Sequence, residues 1–114
     1  MNKEDFVSYE LAKDLRKKGY DELCCAEYTY GKHLYINYFY DIKNSSSTIA
    51  APTLYDVLKW LINSKGICID IKYISNHFYF EIVDMSTERT LSTEGGNSLE
   101  EGLSNAIKES LKFI

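Results

Sequence analysis

Apolar residues recur with the spacing of an α-helix in three segments of the chain. The first stripe consists of Leu11, Ala12 and Leu15; it follows Ser8, a residue type that often caps a helix start, and it stops at Gly19. These signals predict a first helix between Ser8 and Gly19.

Two further stripes predict a second and a third helix. Thr53 precedes the second stripe and Gly66 ends it, while Ser98 precedes the third, with Glu101 placed as in a capping box. The apolar positions of the second helix are Leu54, Val57, Leu58, Leu61 and Ile62. The positions along one face of the third helix are Leu99, Leu103, Ala106, Ile107, Ser110, Leu111 and Ile114.

Between the second and third helices, apolar and polar residues alternate with the period of a β-strand. One alternating run covers 67–73 and the next covers 78–83, with Ser75 and Asn76 between them. A two-residue turn at Ser75 and Asn76 aligns the apolar positions of the two runs. The predicted cross-strand pairs are Tyr73 with Phe78, Ile71 with Phe80, and Ile69 with Ile82.

The tyrosine-rich stretch EYTYGKHLYINYFYD, residues 27–41, predicts an earlier hairpin whose register depends on its loop. A two-residue loop of Gly31 and Lys32 mixes apolar and polar positions on both faces. An odd loop, either Gly31 to His33 or a five-residue loop, gathers the apolar positions on one face. The pairs for the three-residue loop are Tyr30 with Leu34, Tyr28 with Ile36, Ala26 with Tyr38, and Cys24 with Tyr40. In this register Tyr28, Tyr30, Tyr38 and Tyr40 point towards the helices.

The order of elements is therefore αββαββα, which predicts an α+β fold. We expect a single domain over residues 1–114, with a four-stranded, mainly antiparallel sheet and three helices packed on one face. Two stretches read as loops, 44–48 and 86–98. The second is long enough to hold a short extra strand around residues 89–92, or to be mobile.

Composition limits the class of protein. The chain has 114 residues, of which 45% are apolar and 26% charged, so we expect a folded domain with its own core. A net charge of −4 opposes nucleic-acid binding, and we expect the basic run of Lys13, Arg16, Lys17 and Lys18 to be a solvated helix face. No apolar run has the length of a membrane span and no signal-peptide pattern is present, so we expect no membrane partner and a cytoplasmic location.

The sequence contains few groups that could converge on a substrate. It lacks a glycine-rich phosphate loop, a nucleophile elbow and a paired-histidine helix motif, so we predict no enzymatic activity, no cofactor and no small-molecule ligand. The three cysteines, Cys24, Cys25 and Cys68, are odd in number, and we expect reduced thiols. A zinc site that combines them with His33 and His77 is disfavoured, because adjacent cysteines in a strand point to opposite faces.

Two short features have a functional and a structural interpretation. Gly95 and Gly96 precede the third helix, where free amides could hold an anion, but we expect a flexible turn. Asp70 would lie directly opposite Glu81 in the second hairpin, where two carboxylates could bind a hard cation or supply acid and base catalysis. A metal-binding protein or metal-dependent hydrolase is therefore one alternative function. Weak nucleic-acid binding through the basic side of the first helix is another.

The predicted sheet leaves one face away from the helices. Its aromatic members are Tyr35, Phe39 and Tyr79, and its acidic members include Asp70 and Glu81. A face that is half aromatic and half polar suits a protein partner or a second copy of the chain in a homodimer. The leading interpretation is a protein-interaction module that self-associates through this face or through an edge strand.

Three segments of the chain carry a resemblance. FVSYELAKDLRKKGYDE, APTLYDVLKWLINSKGICIDI and SLEEGLSNAIKESLKFI resemble small uncharacterised proteins encoded by prophages and mobile elements of gut anaerobic bacteria. The matching positions include Ser8 with Tyr9 and Glu10, Pro52 with Thr53, and Trp60 with Leu61. The resemblance implies an accessory protein of a phage or mobile element in the bacterial cytoplasm, and it implies no site residues.

Overall fold

The computed structural model describes residues 2–29, 32–38 and 40–114, and the chain divides into two compact units, Met1–Tyr55 and Asp56–Ile114. The described residues form three α-helices and two three-stranded antiparallel sheets. The α+β class is therefore confirmed, whereas the single four-stranded sheet with all three helices on one face is wrong. Each predicted hairpin takes a third strand of its own, 49–50 in the first sheet and 89–96 in the second, instead of joining the other hairpin.

The first unit contains helix α1 (Tyr9–Lys17) and strands β1 (Ala26–Thr29), β2 (His33–Ile36) and β3 (Ile49–Ala50). The strand order is β2-β1-β3. Helix α1 begins as predicted, because the Ser8 hydroxyl accepts a hydrogen bond of 3.2 Å from the backbone N–H of Leu11. It ends where Gly19 adopts a left-handed conformation with φ of +92°. The predicted stripe of α1 is buried.

The first hairpin has the predicted odd parity but not the predicted pairs. Thr29 lies opposite His33, so three residues separate the paired ends of β1 and β2, and each pairing is shifted from the expected one. Tyr28 now faces Leu34, and both still lie on the apolar face. One buried cluster of this unit consists of Phe6, Ala26 and Ala51, against which Cys25, Tyr28, Leu34 and Ile36 pack.

The positions predicted for Tyr38 and Tyr40 are wrong. Strand β2 ends at Ile36, and Cys24 pairs with Ile42 through two backbone hydrogen bonds of 2.8 and 2.7 Å. Ile42 therefore takes the place predicted for Tyr40, and the two tyrosines are 64% and 71% exposed. Tyr30 and Phe39 lie outside the described residues.

Helix α2 (Leu54–Trp60) continues as a π-helical turn, Leu61–Lys65, and ends at Gly66, which has φ of +66°. The predicted end of the second helix is confirmed. Of its predicted apolar stripe, Leu54 and Leu61 are buried, whereas Ile62 is exposed.

The second unit contains strands β4 (Ile67–Ile74), β5 (His77–Asp84) and β6 (Arg89–Gly96) in the order β4-β5-β6. The β4–β5 register is the predicted one, and Ser75 and Asn76 have φ of +52° and +66°, as in a type I′ turn. Strand β6 includes the short strand expected at residues 89–92 and extends through both glycines.

Helix α3 (Leu99–Ser110) packs mainly on β6 and β5 and only marginally on β4. The Ser98 hydroxyl caps it by accepting a 3.1 Å hydrogen bond from the backbone N–H of Glu101. Gly96 is not part of a flexible turn. It pairs with Phe78 in the sheet, and a Cβ atom at this position would overlap the backbone of Gly102. Close approach of α3 to the sheet therefore requires glycine at this point.

Candidate interaction surface

Exposed apolar side chains cluster on the half of the β4–β5 hairpin that is nearest the turn. Ile71, Tyr73, Ile74 and Tyr79 are 42%, 61%, 56% and 39% exposed, and we refer to these four residues as the hairpin surface. Ile71 and Tyr73 lie on the face of the sheet that α3 borders, whereas Ile74 and Tyr79 lie on the opposite face. Exposed apolar side chains that lie close together commonly mark an interaction site, whereas isolated ones do not.

The exposure of β4 follows from how helix α3 lies on the sheet. A strand of eight residues spans about 26 Å. Ile67 and Ile69, at the start of β4, are buried. From Asp70 onward every residue of β4 is exposed. Alternation along the strand had predicted that Ile71 and Tyr73 point towards a helix. Since α3 packs on β6 and β5, that face of β4 has little helical cover.

The Tyr73 ring of the hairpin surface is anchored in the core. The Tyr73 ring contacts the Phe78 ring with centroids 5.1 Å apart, and the Phe78 and Phe80 rings are 6.5 Å apart. Phe80 is fully buried. The Tyr73 hydroxyl also donates a 3.1 Å hydrogen bond to the side-chain oxygen of Asn76. The exposed ring is thus held in place, which lowers the conformational entropy that a partner would have to remove on binding.

Strand β4 has an open edge. Its partner is β5, and no other strand pairs with it within the described residues. In a two-residue hairpin the pair that flanks the turn, here Ile74 and His77, exchanges hydrogen bonds, and bonded and non-bonded pairs then alternate along the ladder. The backbone N–H and C=O groups of Ile69, Ile71 and Tyr73 consequently point away from β5, towards the open edge.

The predicted acidic pair is present, but a lysine lies beside it. Asp70 is opposite Glu81, and the Lys72 ammonium lies 2.9 Å from Glu81 Oε1. The hydrogen bond to Glu81 and the charge of that carboxylate raise the pKa of Lys72, and the charge of Asp70 raises it further. The ammonium group occupies the position beside Glu81 that a bound cation would need. Asp70 itself has no salt bridge in the described part of the chain.

The five residues that the sequence predicted as an interaction face do not share one sheet. Asp70, Tyr79 and Glu81 lie in the second sheet, Tyr35 lies in β2 of the first, and Phe39 is outside the described residues. Tyr35 is half exposed opposite Glu27, at an open groove of about 750 Å³. The groove is lined by Glu27, Thr29, Tyr35, Ile36, Asn37, Ser47 and Thr48.

The basic side of α1 borders a smaller cleft of about 250 Å³, which Tyr9, Arg16 and Lys32 line together with the loop at 46–48. The Arg16 guanidinium donates a 3.1 Å hydrogen bond to the carbonyl of Thr48, and the Lys32 ammonium lies 3.8 Å from Glu10. The charged groups of Arg16 and Lys32 therefore have partners within the first unit, and the Glu10 carboxylate lies next to the cleft.

The residues considered for zinc are dispersed. Cys24 is buried with its thiol 3.5 Å from the carbonyl of Glu22, and Cys24, Cys25 and Cys68, all among the described residues, form no disulfide. His33 and His77 are exposed. Across residues 2–29, 32–38 and 40–114, no group of three or more histidine, cysteine, aspartate or glutamate residues is arranged to hold a metal ion.

None of the helices in the described residues has the length and apolar character that a membrane crossing requires. Comparison of the chain with protein-family models, with curated proteins and with solved structures finds no match.

Proposed function

We propose that this protein is a non-enzymatic protein-interaction module that self-associates through its second sheet. The observation that carries the proposal is the hairpin surface, which places three exposed apolar side chains on β4, a strand with an open edge, and a fourth, Tyr79, on its partner strand β5. Exposed strands of this kind commonly gain a further strand from a partner, which adds backbone hydrogen bonds and pockets for alternate side chains.

A second copy of the chain fits this surface because β4 carries both apolar side chains and side chains of opposite charge. Apolar side chains lie next to Asp70 and Lys72, which have opposite charges and are close together on one strand. A homodimer with two-fold symmetry uses the same patch on both copies, so the patch has to be complementary to itself.

The biological setting is a separate part of the proposal. We propose that the protein is an accessory protein of a phage or mobile element that acts in the bacterial cytoplasm. The support for this setting is the resemblance of those three segments, which together make up about half of the chain.

Sedimentation velocity, run from low to high micromolar concentration, tests self-association. We expect the average mass of the unmodified protein to rise with concentration, and we expect Tyr73→Lys to keep the protein monomeric. Tyr35→Lys is the matched control, because it places the same charge at a tyrosine of comparable exposure in the first sheet.

Two results would overturn the proposal. The first is an unmodified protein that stays monomeric at every concentration. The second is association that Tyr35→Lys abolishes and Tyr73→Lys does not, because that result would assign the contact to the first sheet.

A further inference from the structure

We propose that two copies pair antiparallel along β4, about a two-fold axis at Ile71, so that Asp70 of each copy lies opposite Lys72 of the other. This inference rests on the proposed self-association and specifies its strand, its register and its charge pairs. The occupant of the open edge is thus a second copy of the same strand, and the product is a continuous six-stranded sheet, three strands from each copy.

The backbone supplies the first argument. The N–H and C=O groups of Ile71 point to the open edge, so two Ile71 residues that face each other exchange both hydrogen bonds. Ile69 and Tyr73 of opposite copies then form the adjacent hydrogen-bonded pairs. Antiparallel pairing about a two-fold axis therefore satisfies the free groups of β4 on both copies at once.

The side chains supply the second argument. On the face that α3 borders, the register brings Ile71 against Ile71 and Ile69 against Tyr73, so every contact is apolar. On the opposite face it brings Asp70 against Lys72 twice. These are non-hydrogen-bonded pairs, in which side chains are closest and opposite charges stabilise the ladder.

Other two-fold registers along this strand are less favourable. An axis at Asp70 or at Lys72 places two identical charges directly opposite each other, which destabilises the pairing. An axis at Ile69 or Tyr73 leaves Asp70 and Lys72 without an opposite charge across the interface. Of these five positions for the two-fold axis, only Ile71 places Asp70 and Lys72 opposite a residue of opposite charge.

Asp70 gains the most from this arrangement. In a single copy it lies opposite another carboxylate, Glu81, and has no salt bridge in the described residues. A lysine from the second copy would give Asp70 a partner, while the bond from Lys72 to Glu81 can persist because an ammonium group has three donors.

Edge strands often carry charged residues for the opposite purpose, which is to block pairing with other chains. The two interpretations predict opposite effects of charge reversal. If the charges block association, a reversal leaves association unchanged or increases it. If they pair across the two-fold axis, each single reversal weakens association and a combination of both reversals restores it.

Charge reversal provides the test, with Asp70→Lys, Lys72→Asp and the double variant measured by sedimentation equilibrium. Each single variant places like charges opposite each other at two points, and we expect its dimer Kd to rise about ten-fold or more. The double variant restores both ion pairs and returns the Kd towards that of the unmodified protein. An equimolar mixture of the two single variants should form a heterodimer, because one chain then carries two lysines and the other two aspartates.

Lys108→Asp is the matched control, since it makes the same charge change at an exposed position of α3. Far-UV circular dichroism and thermal melting establish that each variant is folded. Asp70→Lys keeps the Lys72–Glu81 contact, so its result stands even if Lys72→Asp is unstable.

The outcomes separate the two proposals. Monomeric unmodified protein overturns both and leaves a strand of another protein as the occupant of the edge. Association that persists or tightens in the single variants, or that fails to recover in the mixture and in the double variant, overturns the Ile71 register alone.

Discussion

The ring of Phe80 on β5 lies directly against Gly102 on α3, with no space for a side chain between them. A Cβ atom on Gly102 would lie 2.7 Å from Cζ of Phe80 and closer still to Cε2. Gly96 on β6 also lies close to the backbone of Gly102, so a Cβ atom on Gly96 would overlap that backbone. The two glycines thus set the distance at which α3 seals the buried face of the second sheet.

Gly102→Ala should destabilise the protein, although alanine is ordinarily the better helix former. The methyl group overlaps a fully buried ring, and overpacking of this kind costs about 1–3 kcal/mol, which exceeds the gain of about 1 kcal/mol in helix propensity. Chemical denaturation measures the difference. Gly95→Ala is the control, because its Cβ would meet only the carbonyl oxygen of Phe78 at 3.8 Å. Equal stability of the two variants would contradict the close packing.

The Tyr28 hydroxyl donates a 2.6 Å hydrogen bond to the carbonyl of Val7 in the first unit. We expect Tyr28→Phe to lower the free energy of unfolding by about 1 kcal/mol, since the carbonyl of the buried Val7 loses its hydrogen-bond donor. Tyr35→Phe is the control, because Tyr35 is exposed and its hydroxyl has no hydrogen bond in the described residues. A loss of similar size in both variants would argue against the Val7 contact.

Tyr28 also makes the free energy of unfolding depend on pH. Burial raises the pKa of Tyr28 above the ordinary value of 10.0, so its contribution to stability is complete below pH 10 and disappears as the pH rises through the folded-state pKa. Unfolding free energies measured between neutral pH and pH 11 should therefore fall less steeply in Tyr28→Phe than in the unmodified protein. Identical slopes would show that Tyr28 ionises equally in both states.

Ser98 supplies the acceptor at the N-terminus of α3. Ser98→Ala should lower stability by about 1 kcal/mol, while Ser98→Asp should preserve it, because aspartate is also a good cap and its charge suits the positive end of a helix. Thermal melting of the three proteins tests the cap. An aspartate variant as unstable as the alanine variant would mean that the hydroxyl has another role.

Divalent cations test the alternative of a metal site at Asp70 and Glu81. We expect magnesium, manganese and calcium to give no calorimetric heat and no change in Tm, because the Lys72 ammonium already lies beside Glu81. Lys72→Ala removes that ammonium and shows whether the two carboxylates bind a cation without it. Binding by the unmodified protein that Asp70→Asn abolishes would support the metal-binding alternative.

The sequence by itself determined the features that short stretches of chain specify. Ser8 and Ser98 cap helices through contacts three residues away, Gly19 and Gly66 end helices through their own conformations, and Ser75 with Asn76 makes a two-residue turn that aligns its flanking strands. The free energies behind these features come from neighbours in sequence, so periodicity and residue type were sufficient to predict them.

The tertiary structure alone decided which segments meet and which side chains remain exposed. Ile42 displaced Tyr40 from the first hairpin, and strands β3 and β6 completed two sheets in place of one, since each pairing competes with others distant in the sequence. Ile71 and Tyr73 alternate like core residues, yet they are exposed because α3 covers β5 and β6. Alternation of apolar and polar residues indicates that a strand has two different faces. How much of the apolar face is buried depends on where a helix packs against the sheet.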